Sequence, residues 1–553
     1  MHWGSAAWLQ LVAIIAILAA VHVPLGNYMA SVYTSERHWR AERFVYRIAG
    51  VDPDREQHWR WYLASVLAFA VVSVLVLFAL LLVQTQLPAP WGARGMTPLL
   101  ALNTAVSFVT NTSWQNYAGE STVGHVALVA GLGVQAFCSA AVGMAVAMVL
   151  IRGIVRRQTT DLGNFWVDLT RGITRILIPM AAIIAVVLSV LGVMETFGAA
   201  QSISTLAGGS QTLPTAPVAS WEPIKLMSGD GGGAFNANSA HPFENPNPIT
   251  NVIEIVAMAV IPVSLIRTYG VMVGDRRQSW ALLAVVVALF GLGTAVVGLA
   301  EMAPHGIVPS AVGAALEGKE IRFGVPGSIP FGQVATATAD GAANSSYDSF
   351  TSVGGGVLMA NMMLGEISPG GVGSGLYGLV VIALLAVFLG GLMIGRTPEY
   401  LGKRVSAREM KLISLTVLTP PVVVLSGTAI AVALPAGAKA MGNSGPHGLS
   451  EVLYAFTSCV AGNGSAFAGF SGNTPGFNIG LAIAMMLGRY LPMALVLALA
   501  ASFAGQRSGV MTVGTLRTHA FSFVGLMIGV ALIVVGLEYL PALVLGPIAD
   551  RLT

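Results

Sequence analysis

Ten apolar runs, each long enough to cross a bilayer, constrain this chain more than any other feature. A helix needs about 20 apolar residues to span the hydrocarbon layer. Such runs lie at 5–25, 62–83, 123–151, 173–194, 250–271, 279–300, 352–395, 412–434, 478–504 and 519–545. Composition agrees. Of 553 residues, 55% are apolar and only 10% charged, against roughly 25% charged in a soluble domain. The net charge of +3 lacks the excess that a disordered chain or a nucleic-acid binder needs. Two cysteines, Cys138 and Cys459, build neither a disulfide framework nor a zinc site. The first run has no Lys or Arg before it and no small-residue cleavage site after it, so it is expected to be retained as a span. The fold class expected is an all-α polytopic membrane protein with ten transmembrane helices.

Lys and Arg in the connections set the orientation. Five alternate connections carry 22 of them, starting with Arg37, Arg40, Arg43, Arg47, Arg55 and Arg60; Arg489 is counted in the last. The other connections hold six: Arg94, Lys225, Lys319, Arg322, Lys439 and Arg551. Both termini are therefore expected outside. The aromatic and basic stretch from Tyr33 to Trp61 reads as a cytoplasmic interfacial helix.

Four of the sparsely charged outer loops carry a short polar stretch after a short helix. They read Thr110-Asn111-Thr112-Ser113, Ser228-Gly229-Asp230-Gly231, Thr338-Ala339-Asp340-Gly341 and Ala461-Gly462-Asn463-Gly464. Setting Ser113, Gly231, Gly341 and Gly464 as equivalent gives spacings of 118, 110 and 123, an internal repeat of span, loop and span. The division expected is 1–61 for a first span and interfacial segment, 62–151, 173–271, 279–395 and 412–504 for four pore-loop repeats, and 519–553 for a last span.

The short helices are expected to start at Thr97-Pro98, Glu222-Pro223, near Phe331 to Thr336, and at Ser450-Glu451. Entering from outside, they aim C-terminal ends inward, and those partial negative charges favour a cation. Strands with few bulky side chains should follow, so that backbone carbonyls can replace the water around an ion. Asp230 and Asp340 are expected to hydrogen-bond behind this filter and hold its shape.

The seventh run would extend roughly 66 Å as one helix, too long for about 30 Å of hydrocarbon. Pro369, Gly370, Gly371, Gly373 and Gly375 interrupt it. The expectation is a loop near the membrane centre, below the third filter strand, that closes the straight path, with Glu366 and Ser374 beside the ion route.

The repeat, with Gly231-Gly232-Gly233-Ala234-Phe235-Asn236-Ala237-Asn238-Ser239 and His241-Pro242-Phe243-Glu244-Asn245-Pro246, resembles the potassium-binding A subunit of the bacterial Kdp potassium-transporting ATPase. The likeness continues in Gly371-Val372-Gly373-Ser374-Gly375-Leu376-Tyr377-Gly378, Gly395-Arg396-Thr397-Pro398-Glu399-Tyr400-Leu401-Gly402, Gly445-Pro446-His447-Gly448 and Asn463-Gly464-Ser465-Ala466-Phe467-Ala468-Gly469. It implies membership of the superfamily of K+ transporters built from four pore loops around a central pore. It also implies K+ as the transported ion with no other cofactor, and a bacterial inner-membrane location. The implied partners are a P-type ATPase, which is the B subunit of the Kdp complex, together with its C subunit and its small F subunit. The resemblance adds Gln115, a position linked to potassium affinity, and Gly232 and Asn238 to the candidate filter. Ser113 departs from the family, where Asn is common, and the fourth loop is poorer in Asn.

The chain has no GxxxxGK[ST] loop and no Asp-Lys-Thr-Gly string, so by itself it is not expected to be an enzyme. A stand-alone channel or symporter of the same superfamily is the alternative. An intramembrane enzyme using His241, Glu244, His305 or His447 is disfavoured, since no pair has metal-ligand spacing. Glu254, Glu366 and Arg489 sit in apolar segments and are functional candidates on that ground.

Overall fold

A computed structural model describes residues 5–91, 93–303, 314–393, 395, 397–507 and 516–552. His305 and Arg396, singled out above, lie outside them. Among the described residues ten helices are long and apolar enough to cross a membrane. In chain order the helices that matter are α1 (Ser5–Thr34), α2 (Arg40–Ala49), α3 (Trp59–Gln86), α4 (Pro98–Val109), α5 (Ala127–Val155), α6 (Phe165–Val190), α7 (Val218–Ser228), α8 (Pro248–Met272) and α9 (Arg276–Met302). They continue with α10 (Gly324–Ala337), α11 (Ser352–Met363), α12 (Ser374–Met393), α13 (Ala407–Ala433), α14 (Gly445–Ala461), α15 (Pro475–Gly505) and α16 (Phe521–Leu552).

Burial sorts the spans into two layers. The apolar windows of α3, α6, α9 and α13 are each 28% buried. Those of α5, α8, α12 and α15, the span that follows each short helix, are 83%, 78%, 61% and 50% buried. A helix apolar all round yet mostly uncovered needs lipid as its solvent, so the first set forms an outer layer around the second. Helices α1 and α16, 17% and 28% buried, stand outside this alternation. Helix α1 packs along α8. There Thr268 donates its hydroxyl to the Gly26 carbonyl (3.0 Å), and a Cβ on Gly26 would stand 2.6 Å from the Ser264 carbonyl oxygen. Helix α16 packs against α9 and α12.

Several boundaries differ from the apolar runs. Helix α1 continues to Thr34, and α6 begins at Phe165, where Asn164 accepts the Trp166 N–H (3.0 Å). Arg171 and Arg175 are therefore helix residues rather than loop charges. The charge of Arg175 is matched by Glu42 of α2, which receives it at both oxygens (2.5 and 2.6 Å), and Arg171 donates to the Arg37 carbonyl (3.4 Å). The stretch from Tyr33 to Trp61 is not one helix: it holds the end of α1, the separate helix α2 and the start of α3, with Phe44, Val45 and Ile48 of α2 exposed. Two small antiparallel hairpins, β1–β2 (Gln201–Ser204 with Ser210–Leu213) and β3–β4 (Glu399–Tyr400 with Lys403–Arg404), add to the expected all-helical fold.

Candidate ion-binding site

The four short helices α4, α7, α10 and α14 have 12, 11, 14 and 17 residues, too few to cross about 30 Å at 1.5 Å each. Helix α4 starts as expected, with Thr97 accepting the Leu100 N–H (3.4 Å) and Pro98 at the first position. The other three start earlier than the sequence signals placed them. Helix α7 begins at Val218 with Pro223 inside it, and α10 begins at Gly324 with Pro330 inside it. Helix α14 begins at Gly445 with Pro446 in its first turn. Ser450 and Glu451 are interior there. Ser450 donates back to the Pro446 carbonyl (3.0 Å), while Glu451 accepts the Gly442 and Asn443 N–H groups (2.7 and 3.0 Å).

All four helices end the same way. The N–H groups of Thr112, Asp230, Asp340 and Asn463 return to the carbonyls of Ser107, Lys225, Ala335 and Ser458, five residues back, at 2.9, 3.3, 3.3 and 2.9 Å. This closing bond requires the residue before it to be left-handed. Asn111, Gly229, Ala339 and Gly462 fill that place with φ of 60°, 59°, 61° and 82°. Two residues on, Ser113, Gly231, Gly341 and Gly464 are again left-handed, at 48°, 71°, 72° and 94°. These segments are thus helix caps with alternating left-handed backbone, not the strands expected from the sequence.

The caps close into a ring. A Cβ on Gly231 would stand 1.7 Å from the Asp340 carbonyl oxygen, one on Gly341 2.0 Å from that of Asn463, and one on Gly464 1.9 Å from that of Thr112. Carbonyls at one position of each loop thus lean over the glycine of the preceding loop, in the order second to third, third to fourth, fourth to first. The first and second loops meet through Asn111, whose Nδ2 donates to the Gly229 carbonyl (2.5 Å), and through Ser113, whose Cβ is 3.2 Å from a Cβ placed on Gly232. Three seams have no room for a side chain and the fourth accommodates Ser113, so the four-fold pattern is broken at one place. Thr110 and Thr112 bond each other through their hydroxyls (2.9 Å).

Thr110, Ser228, Thr338 and Asn463 are buried, while Ala461 and Gly464 of the fourth loop are half-buried. Asp340 Oδ1 accepts the Ala342 N–H (3.2 Å), and Asn463 Oδ1 accepts that of Ser465 in the same way (3.1 Å). Asp230 has no such turn and lies against Ser113. Gln115 ties the first loop to the second: its Oε1 accepts the Gly233 N–H (2.9 Å) and its Nε2 donates to the Gly233 carbonyl (3.2 Å).

Below the ring, the seventh span is interrupted between α11 and α12. Glu366 bonds Asn463 Nδ2 (2.9 Å), and the Gly370 N–H bonds the Ala337 carbonyl at the end of α10 (3.0 Å). A Cβ on Gly229 would be 3.3 Å from Val372 Cγ2, and one on Gly371 would be 2.9 Å from Ala339 Cβ. Gly373 lies so close to α5 that a Cβ would stand 2.1 Å from the Gly143 carbonyl carbon. Gly370 and Gly375 touch across the loop, where a Cβ on Gly375 would stand 2.3 Å from the Gly370 Cα. Pro369 is buried and Ser374 half-buried. The loop is thus packed directly against the inner ends of the second and third caps. A cavity of about 140 Å³ adjoins it, lined in part by Glu366, Ser374, Tyr377, Thr416, Glu538 and Tyr539.

Charge counting also misplaced Arg489 and Lys225. Arg489 lies within α15, 7% exposed, and donates to the Ser139 carbonyl (3.0 Å). Lys225, counted with the outer connections, is wholly buried in α7. Its Nζ meets Glu222 (2.8 Å), Glu244 (3.0 Å), Asn238 Oδ1 (2.8 Å) and Ser239 Oγ (3.2 Å). The signal was present: Glu222 and Lys225 are three apart on a short helix. His241, lacking any metal-ligand geometry, stacks on Phe235 at 4.2 Å between centroids. His447 lies between Asp348 and Asp550, 3.1 Å from each.

The comparisons with known proteins follow the same lines. The family described as KdpA, Potassium-transporting ATPase A subunit, matches residues 12–552. The potassium-transporting ATPase potassium-binding subunit of Mycobacterium sp. (strain KMS) is 55% identical over 555 residues, covering 100% of both chains. That of Kineococcus radiotolerans is 53% identical over 549 residues, covering 99% of each. The potassium transporter TrkH from Vibrio parahaemolyticus shares the fold, with a TM-score of 0.55 at 14% identity, over 89% of this chain and 99% of that one. The ten-span architecture thus joins a sequence match running nearly end to end, and this chain belongs to the family of potassium-transporting ATPase A subunits.

Proposed function

We propose that this chain binds K+ in the four-loop ring and delivers it to a P-type ATPase partner, as the potassium-binding and translocating part of an ATP-driven uptake complex. The observation that carries the reading is the closed ring of four left-handed caps, each at the C-terminal end of a short helix. Four helix ends bring partial negative charge to one place, and backbone carbonyls packed at glycine spacing are the groups that can stand in for an ion's hydration shell. The four repeats, 62–151, 173–271, 279–395 and 412–504, each supply one loop. The first and last segments, 1–61 and 519–553, flank them.

The loop from Glu366 to Ser374 acts as the floor. An ion leaving the ring meets packed backbone rather than a straight exit, and the adjoining cavity under α12, α13, α15 and α16 offers a sideways route. Such a route suits a subunit that hands its ion to a partner, which favours the complex over a stand-alone channel or symporter. Partners in this reading are the B, C and F subunits of the Kdp complex. The location is the bacterial inner membrane, with both termini periplasmic.

The test is to express this chain with and without its neighbouring subunits. The assembled complex should hydrolyse ATP in response to K+, and this chain alone in proteoliposomes should show neither ATPase activity nor ATP-driven accumulation. Accumulation by the single chain would overturn the reading.

A further inference from the structure

A buried lysine is costly unless its charge is matched and its protons are bonded. Lys225 meets that condition with Glu222, Glu244, Asn238 and Ser239 as partners; Glu222 and Lys225 lie on α7, just before the second loop, and the other three follow it. What distinguishes this cluster from an ordinary buried ion pair is where Asn238 leads. Its Oδ1 faces Lys225, and its Nδ2 donates to the Gly232 carbonyl at 2.6 Å. Gly232 follows Gly231, the ring residue. The same Oδ1 accepts the Ala343 N–H of the third loop (3.4 Å). Asn238 itself is held left-handed, φ 54°, a conformation that a non-glycine residue keeps only when its surroundings fix it. Glu244 completes the frame by accepting the Phe235 N–H at its other oxygen (2.8 Å).

We propose that Lys225 is a positioning residue for ion selection: acting through Asn238, it fixes the Gly232 carbonyl and the join between the second and third loops, and so sets the affinity of the ring for K+. The inference rests on the ring being the ion site. An ammonium held by two carboxylates cannot shift without separating buried charges. It therefore orients the Asn238 carboxamide, with oxygen toward the lysine and nitrogen toward Gly232. The carboxamide then holds a carbonyl against the rearrangement that a larger or smaller ion would demand. Lys225 touches no ion in this arrangement and acts only through its partner.

The experiment uses the assembled complex and reads K+- and Rb+-stimulated ATP hydrolysis. Asn238→Ala breaks the link while leaving both ion pairs of Lys225 intact. It should raise the K+ concentration for half-maximal activity about tenfold, hold the maximal rate within about twofold, and narrow the preference for K+ over Rb+. Lys225→Met should give the same split. The double variant should be no worse than the more affected single one, because both break one chain of contacts. Should Lys225→Met fail to assemble, Glu222→Gln with Lys225→Gln removes the charged pair as a unit and supplies the same comparison. Effects that multiply in the double variant, or Lys225 variants whose half-maximal concentration and ion preference match the parent, would overturn the inference. If Gly341→Ser shifts the K+ dependence while these variants do not, this inference alone falls. If Gly341→Ser has no effect, the ring itself is not the ion site.

Discussion

Replacing Gly341 by serine puts the carbonyl ring to a direct test. A Cβ at this position would stand 2.0 Å from the Asn463 carbonyl oxygen and 2.8 Å from both its carbon and the Ser465 nitrogen. Such contacts essentially never fall below 3.0 Å, so the Asn463 carbonyl and Gly341 must separate by roughly 1 Å; a comparable misplacement of reacting groups costs an enzyme about 100-fold. The left-handed φ of 72° adds about 1–2 kcal/mol for any residue with a side chain. The neighbour is backbone, held by Asn463 N–H to Ser458 and Asn463 Nδ2 to Ala335, so it has no rotamer by which to retreat. We expect the complex to assemble and its half-maximal K+ concentration to rise by at least about tenfold, equivalent to about 1.4 kcal/mol of binding. Sodium or rubidium should stimulate it more than they stimulate the parent. Gly529→Ser, with nothing within 4 Å of its Cβ, is the control and should leave K+ dependence where it was. A Gly341→Ser complex with the parent's half-maximal K+ and ion preference would refute the assignment of the ring.

Two further outcomes concern the interruption of the seventh span and His447. Deleting Gly370 to Ser374 removes the segment packed against Ala337, Ala339 and Gly143, and should open a passive K+ leak in proteoliposomes without ATP; a sealed variant that pumps normally would remove the gating role. His447 is pushed up to about 9 by its hydrogen bonds to Asp348 and, against partial burial, to Asp550. Its folded value lies above the ordinary 6.5, so its contribution to stability is complete below about pH 6.5 and lost as pH rises through about 9, amounting to about 1–2 kcal/mol after solvent screening. Thermal melting of the complex at pH 7 and pH 10 should show a steeper loss for the parent than for His447→Gln, and equal slopes would deny the tie to α16.

The existence and number of the spans follow from the sequence because hydrocarbon accepts only long apolar helices, and no tertiary contact is needed to decide that. The interruption of the seventh span follows for the same reason: its apolar run is too long, and proline with four glycines cannot continue a helix. Equivalence of Ser113, Gly231, Gly341 and Gly464 could be read from the sequence, since each closes a short polar stretch between two apolar spans at intervals of 118, 110 and 123 residues. Where the helices begin could not be read so well. Glu222-Pro223 and Ser450-Glu451 look like starts, yet both lie inside helices that begin earlier, since tertiary packing overrides local propensity. Nor does spacing reveal that the polar stretches are left-handed caps rather than strands, because both demand small residues. The pairing of loops around the ring, the seam widened at Ser113, and the burial of Lys225 among Glu222, Glu244 and Asn238 depend on residues far apart in the chain. A lysine in a loop and a lysine in a buried charge cluster look alike in one dimension. Only the folded arrangement, which brings carboxylates and a carboxamide to its ammonium, separates the two.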